Sequence, residues 1–144
     1  MATMEQIETL LEQLNEAPPS AHFQHLDKNT VGIQAILKYL SETDGKVTAG
    51  MISNVMKVST ARVAVLLKKM EAKGLIERVQ DPSDKRIVVV KLTDEGRQTA
   101  EDFRENIYRT TGEMIDKVGM DRMLEFAAIS KEIHSIMTKQ DLNV

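Results

Sequence analysis

The chain reads as mainly helical with one small β-hairpin: a winged helix-turn-helix set between N- and C-terminal helices suited to dimerisation. Three features predict this. Two short segments with apolar stripes, 49–56 and 60–73, are separated by a few residues, and each follows a hydroxyl residue, Thr48 or Ser59. That is the outline of a helix-turn-helix with N-caps. Beyond Gly74 the period changes to short β-branched runs on either side of Asp81-Pro82-Ser83-Asp84, which predicts a hairpin. Helical periodicities also occupy both ends of the chain.

Taken in order, residues 3–16 place Ile7, Leu10, Leu11 and Leu14 at i, i+3, i+4 and i+7, one stripe of a helix that Pro18-Pro19 would stop. A second helix is expected over 30–41, with Val31, Ile33, Ile36, Leu37 and Leu40 inward, before a turn at Asp44-Gly45. Thr48 caps a helix over Ala49–Met56, with Ile52 and Met56 inward; Lys57-Val58 is the turn, and Ser59 caps a helix that Gly74 ends. Leu75–Gln80 and Arg86–Leu92 are the expected strands. Thr93 caps the next helix, with Asp94 and Glu95 in its first turn where the helix dipole favours them. Its apolar positions are Ala100, Phe103, Ile107, Met114 and Val118, with a seven-residue step at Thr110-Thr111. Gly119 breaks it before a last helix, Met120 to Lys139. The domain reading is an N-terminal arm at 1–29, the winged helix-turn-helix at 30–97 and dimerisation helices at 98–144.

Composition excludes several classes. With 144 residues, 42% hydrophobic and 28% charged, the chain can bury a core and is not disordered as a whole. It has no cysteine, which removes disulfides, thiolate chemistry and cysteine redox sensing. The longest apolar run, Val63–Leu67, is far too short for a membrane span, and the first residues lack a basic-then-apolar signal. The expectation is a cytoplasmic protein with no membrane partner and no cofactor. The net charge of −3 conceals an asymmetry. Residues 46–97 hold 11 Lys+Arg against 6 Asp+Glu, whereas 1–45 hold 2 against 7 and 98–144 hold 6 against 9. A basic middle between acidic ends suggests a local surface for a polyanion.

The third helix shows how such a surface would be built. With Val63, Leu66, Leu67 and Met70 inward, the opposite face carries Ala61, Val65, Lys68 and Ala72, flanked by Arg62 and Lys69. Arg62 lies in the first turn, where recognition helices reach base edges, and its fork matches guanine O6 and N7. Lys68 and Lys69 suit phosphates, and Ala61 and Val65 suit thymine methyl groups. At the hairpin tip Lys85 and Arg86 could enter a minor groove, with Asp84 orienting Arg86 through a charge-assisted hydrogen bond. The expected partner is therefore double-stranded DNA. The terminal helices would pair the chain with itself through Ile7, Leu10, Leu11, Leu14, Ile107, Met123, Phe126, Ile133 and Met137, because a two-fold protein reads a pseudo-palindrome.

The segments Thr48 to Ser59, Ser59-Thr60-Ala61-Arg62-Val63, Lys73-Gly74-Leu75-Ile76, Asp81-Pro82-Ser83-Asp84-Lys85-Arg86 and Leu92-Thr93-Asp94-Glu95-Gly96 resemble the multiple antibiotic resistance regulator (MarR) family. The resemblance is close over roughly 26–100 and one of pattern only in the terminal helices. It implies a homodimeric winged-helix transcription factor, usually a repressor, whose DNA affinity falls when a small-molecule effector enters the cleft beside the dimer helices. It also implies that Thr60, Ala61, Arg62, Ala64 and Lys68, beside the cap Ser59, contact the major groove. In the same way Arg86 probes the minor groove, supported by Asp84. Two departures stand out. Lys57 occupies a turn position usually held by glycine, and is expected at φ > 0 at a cost of about 1 kcal/mol. Ala64 and Val65 replace the polar pair often found there, which shifts base reading onto Arg62.

Other readings are weaker. His22 and His25, at i, i+3 with Glu16 and Asp27 near in sequence and His134 remote, form an incomplete zinc set; no metal site is expected. No nucleophile elbow, phosphate loop or spaced carboxylate pair supports an enzyme. A dimeric interaction protein that no longer reads DNA has only Ala64 and Val65 in its favour. The effector is not legible; Phe23, Tyr39, Phe103 and Tyr108 are the aromatic residues that a ligand pocket would draw on.

Overall fold

The computed structural model describes residues 1–16 and 28–141; Pro18, Pro19, His22, Phe23, His25 and Asp27 lie outside them, and so do the expectations placed on those residues. The elements are α1 (Met4–Glu16), α2 (Lys28–Glu42), α3 (Ala49–Met56), α4 (Thr60–Ala72), β1 (Ile76–Gln80), β2 (Val88–Leu92), α5 (Asp94–Val118) and α6 (Met120–Asp141). The chain divides into two compact units, Asp27–Arg104 and a second made of Met1–Leu26 with Glu105–Val144.

In the first unit local chemistry sets each element boundary. Thr48 accepts the Met51 N–H at 3.2 Å and Ser59 accepts the Arg62 N–H at 3.1 Å, so both helices of the motif begin at side-chain N-caps. The helix axis bends by 116° between α3 and α4, as a helix-turn-helix requires. The bend is made at Lys57, which adopts the left-handed conformation, φ 55° and ψ 42°, and is the single non-glycine residue with positive φ among those described. Val58 N–H and Lys57 N–H both donate to the Ser53 carbonyl, and the Ser53 hydroxyl donates to the Val58 carbonyl at 2.6 Å. These bonds hold a lysine where glycine would rest without strain.

At its other end α4 closes with Gly74 at φ +73°. The Leu75 N–H donates to the Met70 carbonyl and the Gly74 N–H to the Glu71 carbonyl, at 2.9 and 3.0 Å. This Schellman arrangement needs a residue without a Cβ. The chain leaves directly into β1, which pairs antiparallel with β2 from Ile76↔Leu92 to Gln80↔Val88. The Val90 N–H donates to the Val47 carbonyl at 2.8 Å, tying the approach to α3 onto the same sheet.

The joint that organises this unit lies where β2 enters α5. The Thr93 N–H donates to the Leu75 carbonyl at 3.1 Å; the Thr93 hydroxyl donates to the Gly74 carbonyl at 2.6 Å and accepts the Gly96 N–H at 3.0 Å. A Cβ at Gly96 would lie 2.0 Å from the Leu75 carbonyl oxygen. The first turn of α5 therefore sits directly on the backbone that leaves α4. A similar approach brings α2 onto α4, because a Cβ at Gly32 would lie 2.8 Å from a Leu66 methyl. Val63, Leu66, Leu67 and Met70 are fully buried, as the stripe predicts, and pack with Ile33, Ile36 and Leu37 of α2. Val31 does not join them. It is 45% exposed, because at 100° per residue it falls opposite Ile33, Ile36 and Leu40.

In the second unit α1 starts with a reciprocal capping box: the Gln6 N–H donates to the Thr3 hydroxyl and the Thr3 N–H to the Gln6 side chain, at 3.2 and 2.9 Å. Ile7 and Leu10 are buried with Ile115 and Met123. The buried face of α5 here runs through Thr111, Gly112 and Ile115, not through Ile107, Met114 and Val118, which are exposed. The break in apolar spacing at Thr110-Thr111 marks a close approach: a Cβ at Gly112 would lie 3.3 Å from an Ile7 methyl. On α6, Met123, Ala127 and Ser130 face inward, while Phe126, Ile129, Ile133, Ile136 and Met137 remain exposed.

Gly96→Ala tests the joint. Helix propensity alone would favour alanine by about 1 kcal/mol. The clash with a backbone oxygen, which cannot swing away, predicts a net loss of about 3 kcal/mol. A thermal unfolding scan is expected to show the midpoint lowered by roughly 10 °C; an unchanged or raised midpoint would contradict the close approach.

Candidate nucleic-acid interface

The outward face of α4 is built by exclusion. Its buried positions are fully committed to the core, so Thr60, Ala61, Ala64, Val65, Lys68 and Lys69 are left exposed on one turn after another. Ser59 is exposed as the cap and uses its hydroxyl on the Arg62 N–H. Arg62 is the held member of this face. It is half-buried, and its Nη1 donates to the Asn29 side-chain oxygen on α2 at 2.7 Å. Val65 is exposed, a β-branched apolar side chain held to water on a helix whose opposite face is wholly apolar.

The wing begins later than expected. Arg86 and Ile87 are not strand residues; β2 starts at Val88, and 81–87 form the loop. Carboxylate chemistry accounts for the difference. The Asp84 carboxylate accepts the Arg86 backbone N–H at 3.1 Å, and the Ile87 N–H donates to the Asp84 carbonyl at 3.0 Å, which turns the chain where a strand would continue. Asp84 then takes both the Nε and the Nη2 of Arg86 at 3.0 Å in a bidentate pair. The Arg86 side chain is 91% exposed despite that pair. A guanidinium is thus fixed in direction while projecting into solvent. The pairing lowers the Asp84 carboxyl below its ordinary range, mainly through the Arg86 side chain and then its backbone N–H, and raises Arg86. Lys85 is exposed beside it.

The base of the loop is held by a residue that the sequence reading treated only as a turn former. Asp81 is buried; its carboxylate accepts from Lys46 Nζ at 2.7 Å, from the Ser83 N–H at 3.0 Å and from the Ser83 hydroxyl at 2.9 Å. Its own N–H donates to the Ile87 carbonyl at 2.9 Å, closing the loop. The Lys46 ammonium first, and the two Ser83 donors next, lower its carboxyl from 3.8 to about 2. Asp81, Ser83, Lys46 and Asn29 are the residues missed as parts of this surface. The Asp-Pro-Ser run signals an Asx turn, whereas nothing local singles out Lys46 or Asn29.

Among the described residues no group of three His, Asp or Glu side chains is placed to hold a metal ion. No single helix among them is long and apolar enough to cross a membrane. Of the aromatic residues expected near a pocket, Phe103 lines a cavity of about 280 Å³ with Thr30, Ile33, Gln34, Leu37, Lys73, Leu75 and Thr99. Tyr39 packs on the core of the first unit and Tyr108 on that of the second. Ile7, Leu10 and Met123, expected at a dimer interface, are buried in the core of their own unit; Leu11 and Leu14 pack against it, half-buried.

Asp81 predicts a pH dependence of known sign. Its folded-state carboxyl lies below the ordinary unfolded value of about 3.9, so its contribution is complete above that value and is lost as pH falls through about 2. Urea midpoints for the native protein and Asp81→Asn are expected to differ most above pH 4 and to converge toward pH 2. A gap that stays constant across this range would contradict the assignment.

Comparison with known proteins shows what these features are similar to. Residues 35–87 match the MarR family. An uncharacterized HTH-type transcriptional regulator of Bacillus subtilis (strain 168), YdgJ, is 35% identical over 66 residues, 46% of this chain and 40% of that protein. The HTH-type transcriptional regulator BilQ of Clostridioides difficile (strain CD3) is 26% identical over 109 residues, 76% of this chain and 71% of that one. The chain thus spans only about two fifths of the length of the B. subtilis relative. Among solved structures, a Lactococcus lactis ZitR mutant in apo form aligns with TM-score 0.58 at 24% identity, covering 97% of this chain and 98% of that one. A MepR–DNA complex from S. aureus aligns with TM-score 0.56 at 22% identity, covering 84% and 88%. These structural likenesses are likenesses of fold. The named relatives are HTH-type transcriptional regulators. The capped helix-turn-helix, the Asp84–Arg86 wing and the Thr93–Gly96 joint thus accompany a match to the MarR family over residues 35–87, and the fold is similar to that of the solved structures named above.

Proposed function

We propose that the protein is a sequence-specific double-stranded DNA-binding transcriptional regulator, acting in the cytoplasm as a homodimeric repressor on a pseudo-palindromic operator. The observation that carries this reading is the pairing of two exposed elements. One is the outward face of α4, whose capped backbone and buried opposite side fix its direction. The other is Arg86, held out on the wing by Asp84. In this reading Ser59, Thr60 and Arg62 lie at the edge of the major groove and Ala61, Ala64 and Val65 contact base faces and thymine methyl groups. Lys68 and Lys69 neutralise phosphates, and Arg86 with Lys85 enters the flanking minor groove.

Dimerisation rests on α6. Phe126, Ile129, Ile133 and Ile136 fall at i, i+3, i+7 and i+10, and are 43, 45, 41 and 60% exposed. That is one continuous apolar seam with the spacing of helix–helix contact. Ile107 on α5 and Met137 on α6 are also exposed. A solution mass near twice the 16.2 kDa of one chain is expected, and a mass near 16.2 kDa at micromolar concentration would contradict it. The mostly apolar cavity lined by Leu37, Phe103 and Thr99 is of a size for a small aromatic or aliphatic effector, whose entry would weaken DNA binding.

The test is selection from a pool of randomised duplexes, followed by affinity measurement on the enriched sequence at 50 and 200 mM salt. The native protein is expected to enrich a two-fold symmetric motif and to lose about a hundredfold or more in affinity between those salts. Arg62→Ala is expected to bind that motif about ten- to a hundredfold less tightly. No enrichment, with equal weak binding by both proteins, would overturn the reading.

A further inference from the structure

We infer that Asn29 is a positioning residue for base reading: it holds the Arg62 guanidinium from α2 and thereby sets which base that arginine selects. The inference rests on the proposed reading of DNA by α4 and names a residue that sets its specificity.

Three observations lead to it. Arg62 is anchored at both ends. Its backbone N–H donates to the Ser59 hydroxyl at 3.1 Å, and its Nη1 donates to the Asn29 Oδ1 at 2.7 Å, across 33 residues of sequence. The long side chain thus starts from a capped turn and ends on another helix. Second, α2 and α4 are in register for this contact. Gly32, three residues after Asn29, lies so close to Leu66, four residues after Arg62, that a Cβ there would come within 2.8 Å of its methyl. Equivalent turns of two helices are therefore in contact at two successive steps, and the Asn29 oxygen is placed by backbone packing. Third, the bond uses one nitrogen of a planar group. The Nε–Nη2 edge is a second two-donor fork, the kind that fits O6 and N7 of guanine.

An arginine gains base selectivity when its plane is fixed before the duplex arrives. An unheld arginine in the first turn of a recognition helix can reach several bases or a phosphate, and pays rotamer entropy on docking. Ala64 and Val65 cannot supply a competing polar contact from α4 itself, and the bond on the guanidinium comes from α2. Among the described residues the Asn29 side chain is the one bonded to that guanidinium. An asparagine suits this role because its amide oxygen accepts without neutralising the charge.

The experiment selects from the same randomised duplex pool with the native protein, Asn29→Ala, Asn29→Asp and Arg62→Ala, and sequences the enriched duplexes. Each variant is then measured on the native motif and on a scrambled duplex. Asn29→Ala is expected to blur the same base position that Arg62→Ala blurs and to lower affinity for the motif about tenfold. Its affinity for the scrambled duplex and its salt slope should remain unchanged. Asn29→Asp keeps the acceptor and is expected to keep the base preference, even as its charge lowers affinity for every duplex. A further variant combining Asn29→Ala with Arg62→Ala is expected to bind no more weakly than Arg62→Ala alone, because both act through one contact. Thermal midpoints close to native for both Asn29 variants would show that packing is intact. If Arg62→Ala loses the base preference while Asn29→Ala retains it, Asn29 does not position the reader and the inference falls alone. If Arg62→Ala retains the native preference, the DNA reading assigned to Arg62 falls and carries this inference with it.

Discussion

The carbonyl of Leu75 lies against the first turn of α5 with no space for a Cβ between them, and the winged module is arranged around that approach. Leu75 is at once the last link of the α4 C-terminal turn and the residue that leads into β1. Its carbonyl accepts the Thr93 N–H, and Thr93 bonds the neighbouring Gly74 carbonyl through its hydroxyl. One short stretch of backbone therefore fixes the end of α4, the open end of the hairpin and the start of α5 relative to each other. The end of α4 and the base of the hairpin that carries the wing are thereby bonded to each other through this joint. The sequence Leu-Thr-Asp-Glu-Gly thus has a mechanical reason: a cap with two hydrogen-bonding roles, two acids at a helix N-terminus, and a glycine where nothing larger fits.

What was legible in the sequence was what is decided locally. Thr48, Ser59 and Gly74 could be placed because an N-cap or a left-handed stop needs only its own neighbours, and all three are where the pattern puts them. The α4 stripe was legible because four apolar residues at helical spacing face one way whatever they pack on. Reading failed where apolar character was taken for burial. Val31 is exposed, as are the apolar Met114 and Val118 of α5, while Gly112 and Ser130, small and unremarked, lie with Thr111 on the contact faces. Small residues mark the places where helices approach most closely, and an apolar count passes over them.

The site divides along the same line. The Asp84–Arg86 pair was visible because its members are two residues apart and chemically complementary. The Lys46–Asp81 bond spans 35 residues and the Arg62–Asn29 bond 33; no local pattern announces either. The late start of β2 follows from the same chemistry. A carboxylate that captures backbone N–H groups competes with strand pairing, so a β-branched run from Ile87 begins its ladder only at Val88. The net charge of −3 was the least informative number, because what a polyanion meets is the distribution.

In the proposed function the two exposed elements form a single reading head on adjacent grooves of one duplex. Hydroxyl-radical footprinting of the native protein and Arg86→Ala on one selected duplex examines this directly. The expected result is two-fold related protections over a pair of major-groove segments with flanking minor-groove protections outside them, and the selective disappearance of the flanks in Arg86→Ala. Identical footprints for the two proteins, or flanks that persist while the central protection is lost, would contradict it.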